Sequence, residues 1–235
     1  MAETELWLVD LGKTAAALEA IEAATPRLSD DIRHRLHEMS DEAARRERRL
    51  AHIALRILLE KRLGPCIRRT PFVRSAPGKL SLAGSDVAIS LAHTEGVALI
   101  ALGDGDPLGV DIEHLRPVRI PEERREPIER EAVALAQDAP LAGRDRDARF
   151  LNAWVRIEAA AKAEGSGVGP LLERLRPGRR APLARPLVVH DVPVSADVFA
   201  AVAMAPGRSL PPLCLLPETT AAIDALLEAD EGTSR

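Results

Sequence analysis

The chain has 235 residues, 46% hydrophobic and 29% charged, the balance of a globular protein with one large domain or two small ones. Its 36 acidic and 32 basic side chains leave a formal net charge of −4, which argues against a protein that coats nucleic acid through general positive charge. No apolar run reaches the roughly 20 residues of a spanning helix, and the opening MAETELWLVDLG lacks the basic and apolar regions of a secretory signal, so a cytoplasmic protein without a membrane partner is expected.

Residues 5–9 form a short apolar run suited to a strand, and 14–24 read as helix from their Ala and Glu content. Over 41–63 the apolar residues Leu50, Ile53, Ala54, Ile57 and Leu58 recur at the spacing of one buried helix face. Asp41 and Glu42 suit the first turn of that helix and Gly64-Pro65 its end, while Arg45, Arg46, Arg48, Arg49 and Arg56 fall on the side expected to be exposed. Pro77-Gly78-Lys79 marks a turn. Strands are expected over 87–91 and 97–102, joined through a loop at 93–96, and again over 108–112 after a turn at 103–107. Their order suggests a meander. The charged stretch 116–130 is expected to be exposed, followed by helices at 131–137 and 150–164 with a loop at 138–147 between them. Gly165 ends the second helix, 170–186 reads as a loop-rich connection, and 187–194 and 198–204 as a second pair of strands. The expected division is 1–105 and 106–235, both α+β. Cys66 and Cys214 form no CxxC pair and are expected to be free, buried thiols. With two Trp, three Phe and no Tyr the core must be aliphatic, and a stacking platform for single-stranded nucleic acid is lacking.

Three segments carry candidate chemistry. In Gly109-Val-Asp-Ile-Glu, Asp111 and Glu113 lie two apart in a strand and share a face. Paired carboxylates suit Mg²⁺, which takes hard oxygen ligands together with phosphate oxygens; an acidic edge strand is the plainer alternative. Trp154, Glu158 and Lys162 follow one another at i, i+4 and share a helix face. They offer a third carboxylate and a phosphate-binding cation, or an ordinary Glu–Lys pair beside a core tryptophan. His93 lies where a turn would present its ring to an anion, with Lys79, Arg45, Arg46 and Arg49 as further cations in the same half.

Together these segments resemble the Sfp-type 4'-phosphopantetheinyl transferases. Gly109 to Glu113 matches the family's G-[IV]-D-[IVL]-E strand and Trp154 to Lys162 its W-x-x-K-E-A-x-x-K helix. Upstream, Ala92-His93-Thr94 is similar to a Ser-His-Ser/Thr segment, Pro77-Gly78-Lys79 to a Gly-Lys-Pro turn, and the Arg-rich helix before Arg56 has its expected place. The resemblance spans most of 40–205. It implies a pseudo-dimer of two similar α+β subdomains, monomeric as a whole, with the site in the cleft between them. The implied reaction transfers the phosphopantetheine arm of coenzyme A to a serine of an apo acyl or peptidyl carrier protein and releases adenosine 3',5'-bisphosphate. By the same resemblance Asp111, Glu113 and Glu158 hold Mg²⁺ or Mn²⁺, Lys162 and His93 contact phosphates, and Lys79 with one or more of Arg45, Arg46 and Arg49 holds the nucleotide end. Glu158 is the expected base for the serine. Arg116, Arg119, Arg124 and Arg125 form a possible docking edge for the acidic carrier, or pair with the glutamates of the same stretch.

Two positions depart from the family pattern. Ile157 stands where a lysine precedes the helix glutamate, and Arg156 points about 100° away from that position. Ala92 stands where a serine precedes the histidine, removing a hydroxyl donor worth about 1.5–3 kcal/mol to a charged group. A paralogue that binds coenzyme A or a carrier protein without turnover is therefore the alternative reading.

Overall fold

Period-two alternation of apolar residues decides how this α+β chain is layered. In the computed structural model, which describes residues 4–74, 79–105, 107–174 and 185–229, one sheet contains β1 (Glu5–Asp10), β2 (Phe72–Arg74), β3 (Leu80–Leu82), β4 (Val87–Thr94), β5 (Val97–Asp104) and β9 (Leu213–Leu215), in the order β2-β3-β4-β5-β1-β9. A second contains β6 (Leu108–His114), β7 (Val188–Asp191) and β8 (Val198–Met204), in the order β6-β8-β7. Along β5, Ala98, Ile100 and Leu102 face the helices α1 (Leu11–Ala24) and α3 (Glu42–Leu63), while Leu99 and Ala101 face the second sheet. Along β8, Phe199, Ala201 and Ala203 face α4 (Glu122–Leu135) and α5 (Arg146–Glu164), and Val198, Ala200 and Val202 return toward the first sheet. The layers are thus helices, sheet, sheet and helices, with an apolar seam between the sheets. The segments β4-β5-β1 and β7-β8-β6 share one antiparallel arrangement, each completed by the strand that comes first in its half.

Both long helices end at the glycines the sequence marks, and α3 starts at the expected Asp41, but α5 starts at Arg146, inside the expected 138–147 loop and not near Phe150, because Asp145 caps it. Asp41 and Asp145 accept hydrogen bonds from the backbone N–H of Ala44 and Ala148, and Gly64 and Gly165 close the helices with positive φ.

Elsewhere the structure corrects the sequence reading. The three strands are no meander: β4 and β5 form a hairpin, but β6 leaves that sheet to pair with β8, about ninety residues on. The division at residue 105 separates the two sheets except at the C-terminal end. There β9 pairs in parallel with β1, and Leu216 and Ile223, the latter in α7 (Thr220–Glu228), enter the core beneath the first sheet. The stretch 116–130 is not simply exposed, because α4 begins at Glu122 and runs through Pro127. Burial of Ile128, Ala132 and Leu135 against α5 outweighs the hydrogen bond the proline removes. Helix α2 (Asp30–His37) and the short strands β2, β3 and β9 had no distinct pattern, and α6 (Val168–Arg174) occupies the start of the expected 170–186 connection. Pro77 and Gly78, Asp106 of the 103–107 turn, and 175–184 lie outside the described residues. Both cysteines are free, but Cys66 is exposed and Cys214 half-buried rather than buried. Among the described residues no helix is long and apolar enough to cross a membrane.

Candidate functional site

The site begins with the missing side chain of Gly109. A Cβ at this position would lie 2.0 Å from the Ala159 carbonyl oxygen and 2.4 Å from the Ala163 nitrogen, so β6 crosses α5 at backbone contact. Four small residues of α5, Ala159, Ala160, Ala161 and Ala163, complete that approach. Val110 and Ile112 turn into the seam between the sheets, which leaves Asp111 and Glu113 on the α5 side. On the other flank, Ser90 Oγ of β4 accepts the Val110 N–H at 2.9 Å. β6 is therefore an edge strand fixed between α5 and β4.

Lys162 Nζ donates to Asp111 Oδ1 at 2.7 Å. Asp111 is only 7% exposed, and its Oδ2 is buried with no hydrogen-bond partner among the described residues. Burial pushes the Asp111 carboxyl up to about 7; Lys162 opposes the shift, and Glu158 and Glu113 add to it. Burial likewise raises Glu158, with Glu113 adding repulsion and Lys162 opposing. Lys162 pairs with Asp111 and the half-exposed Arg116 with Glu113, so three carboxylates share two cations on a poorly hydrated surface.

The opposite wall is cationic. A cleft of about 420 Å³ runs from Asp111, Glu113 and Lys162 to Lys79, His93, Arg48 and His52. Lys79 reaches across from the first half, packs on Gly165 and donates to the Ala163 carbonyl at 3.2 Å; burial lowers its pKa, with Arg185 contributing. His93 belongs to β4 rather than to a loop, because the hairpin turn is confined to Glu95-Gly96. Burial lowers its pKa, Glu47 opposes, and Arg48 and Lys162 reinforce the decrease.

The expected nucleotide-binding arginines are not in this cleft. Arg45, Arg46 and Arg49 line a separate groove between α3, α1 and α2, where Arg46 pairs with Glu19 at 3.2 Å and Arg45 donates to the Met39 carbonyl. Arg48 and His52, one helical turn apart, are the α3 residues that face the cleft. Composition could not choose among six arginines on one helix; an i, i+4 Arg/His pair was the available cue. Arg125 is neither on a docking edge nor paired with the glutamates of its own stretch. It is 3% exposed, pairs with Asp147 at 2.9 Å and donates to the Val118 and Ile120 carbonyls. Arg116 pairs with Glu113 at 3.3 Å; Arg119 and Arg124 are exposed.

Ile157 is fully buried in the helix-facing core of the second half. Arg156 does not replace the absent lysine, since its guanidinium is held by Asp191 at 2.8 and 2.7 Å and by the Ala139 and Pro140 carbonyls. Ala92 lines the cleft and supplies no donor there. Among the described residues no three His, Cys, Asp or Glu side chains converge as a formed metal centre, and Lys162 is paired with Asp111 at 2.7 Å. Compared with protein-family models and with curated proteins, the sequence matches neither.

Proposed function

We propose that the cleft transfers the 4'-phosphopantetheine arm of coenzyme A to a serine of an apo acyl or peptidyl carrier protein, releasing adenosine 3',5'-bisphosphate. The observation that carries the reading is the buried Asp111 carboxylate, with one oxygen on Lys162, the other unpartnered, and Glu113 and Glu158 beside it, opposite a cationic wall. The shared strand arrangement of the two halves agrees with an internal pseudo-dimer and a monomeric chain.

The residues fit a divalent cation. A buried Asp111 oxygen without a hydrogen-bond partner among the described residues, with Glu113 and Glu158 near it, is a hard-oxygen donor set whose three carboxylates exceed the two cations paired with them. Asp111, Glu113 and Glu158 would hold Mg²⁺ or Mn²⁺, and the ion would supply charge stabilisation to the pyrophosphate. Arg48, Lys79 and His93 receive the remaining phosphate groups at the nucleotide end, so Arg48 takes the part first expected of Arg45, Arg46 and Arg49. Lys162 neutralises charge as the serine oxygen bonds to the phosphorus next to the pantetheine arm and the bond to the bisphosphate breaks. Glu158, half-buried beside Lys162, accepts the serine proton.

Intact-mass spectrometry of apo carrier proteins incubated with the protein, coenzyme A and Mg²⁺ tests this. The expected result is a gain of about 340 Da, the mass of one phosphopantetheine group, abolished by EDTA and by Glu158→Ala. No gain across acyl and peptidyl carriers would overturn the transferase reading. Buried Ile157 and the engagement of Arg156 favour the second reading, a chain that binds coenzyme A without turnover, which predicts binding with no mass gain.

A further inference from the structure

Glu47, on α3, has no part in the sequence motifs, yet its Oε1 reaches two groups of the β4–β5 hairpin. It lies 3.4 Å from His93 Nδ1 and accepts the Gly96 backbone N–H at 3.2 Å. Gly96 has a φ of 85°, as a tight hairpin turn requires, and its carbonyl accepts from Leu11 N at 2.8 Å. One carboxylate oxygen therefore secures both the hairpin tip and the ring.

With Nδ1 turned toward Glu47, Nε2 is the nitrogen left for the cleft. In the neutral ring Nδ1–H donates to the carboxylate and Nε2 carries a lone pair, which cannot donate to a phosphate oxygen. Two N–H groups are needed to hold Glu47 and an anion together, and the second proton comes from solvent. The charged groups acting on the ring are Glu47 and Arg48 from α3 and Lys162 from α5. Lys79, His52, Asp111 and Glu113 line the same cleft. Glu47 is the carboxylate in contact with the ring, whereas Arg48 and Lys162 disfavour its protonation until an anion offsets them.

We propose that Glu47 is a positioning residue that makes anion binding in the cleft proton-linked: it orients His93 through Nδ1 and stabilises the imidazolium that donates from Nε2 to a phosphate group. This rests on the reading that the cleft receives phosphates. The ring is neutral in the free protein, gains one proton when the anion enters and returns it when the anion leaves. Burial lowers the His93 pKa against the pull of Glu47, so the free ring gives up its proton more readily than an exposed histidine.

The test is calorimetric titration of the full chain with coenzyme A and, separately, inorganic pyrophosphate, in buffers of different ionisation enthalpy. Because phosphates also titrate, the readout is the difference in proton uptake between the unaltered protein and His93→Gln. Up to one proton is expected, with affinity falling by as much as about tenfold per pH unit above the ring pKa. Glu47→Gln keeps an acceptor for the Gly96 N–H, so the hairpin and melting temperature are preserved. It should retain binding through Arg48, Lys79 and Lys162 and shift the proton-linked step to lower pH. A Glu47→Gln variant with an unchanged uptake profile overturns the proposal, as does an unaltered protein no different from His93→Gln. Coenzyme A bound without the uptake difference overturns the proton link alone. Pyrophosphate bound with it while coenzyme A fails to bind retains the link and overturns the transferase reading; binding of neither probe overturns both.

Discussion

Helix α5 builds two buried charge clusters that differ in how they are satisfied. On one side Arg156 is fully buried, and all three guanidinium nitrogens donate, Nε and Nη2 to Asp191, and Nη1 and Nη2 to the Ala139 and Pro140 carbonyls of the α4–α5 connection. On another, Lys162 meets Asp111, and here a carboxylate oxygen has no hydrogen-bond partner among the described residues and two carboxyls are pushed upward. The first cluster resembles Glu60 on α3, where hydrogen bonds from Arg68 and Arg27 outweigh burial and hold the carboxyl below its usual range. The structural ion pairs have their polar atoms satisfied, whereas the Asp111 cluster carries the buried, unsatisfied carboxylate oxygen on which the proposed cation site rests.

The largest way to break this contrast is Arg156→Ala. It leaves Asp191 and several carbonyls without their donor and should cost about 3–5 kcal/mol in urea unfolding; a loss below about 1 kcal/mol would remove the structural assignment. Gly109→Ala comes next. With backbone atoms 2.0 and 2.4 Å from the added Cβ, β6 must move off α5, at a cost of about 1–3 kcal/mol. Transfer activity should fall by more than that stability loss explains, because Asp111 and Lys162 separate.

A smaller effect separates the two faces of α3. Arg48→Ala should weaken coenzyme A binding about tenfold by calorimetry, as loss of one charge-assisted contact, whereas Arg46→Ala should leave it unchanged. Equal losses would mean that the separate groove also takes the nucleotide. The smallest effects concern pH and carry opposite signs. Glu60 has a lowered folded pKa, so its contribution to stability is present above its ordinary 4.5 and lost as pH falls through the folded value. Asp111 is raised from 3.8 to about 7, so its charged form destabilises the metal-free fold progressively as pH rises between those values. Melting curves in EDTA should show Glu60→Gln flattening the acid limb and Asp111→Asn flattening the decline from about pH 4 to 7. The same slope in Asp111→Asn as in the unaltered protein would mean that Asp111 is not the titrating group.

The candidate residues on β6 and α5 were legible because a strand repeats every two residues and a helix nearly every four. Asp111 with Glu113, and Glu158 with Lys162, could be placed on shared faces from spacing alone. The arginines of α3 could not be assigned this way, because helical spacing groups residues without saying which group meets a cleft. Arg125 and Arg156 gave no sign of burial, since their partners Asp147 and Asp191 are brought near by other elements. Glu47 was equally silent: its partners lie 46 and 49 residues away.

By itself, then, the sequence determined the amphipathic α3, the body and C-terminal end of α5, the hairpin strands β4 and β5 and the carboxylate face of β6. These follow from local periodicity and from end signals such as Asp41, Gly64 and Gly165, whereas the Asp145 cap of α5 emerged only from the structure. Only the tertiary structure decided that β6 pairs with β8, that β9 and α7 return to the first half, and that Arg48 rather than Arg45, Arg46 or Arg49 faces the cleft. Those choices depend on which apolar faces bury one another across long stretches of chain. Gly109 joins the two levels, because its missing Cβ is written in the sequence but acquires meaning only when the backbone of α5 arrives against it.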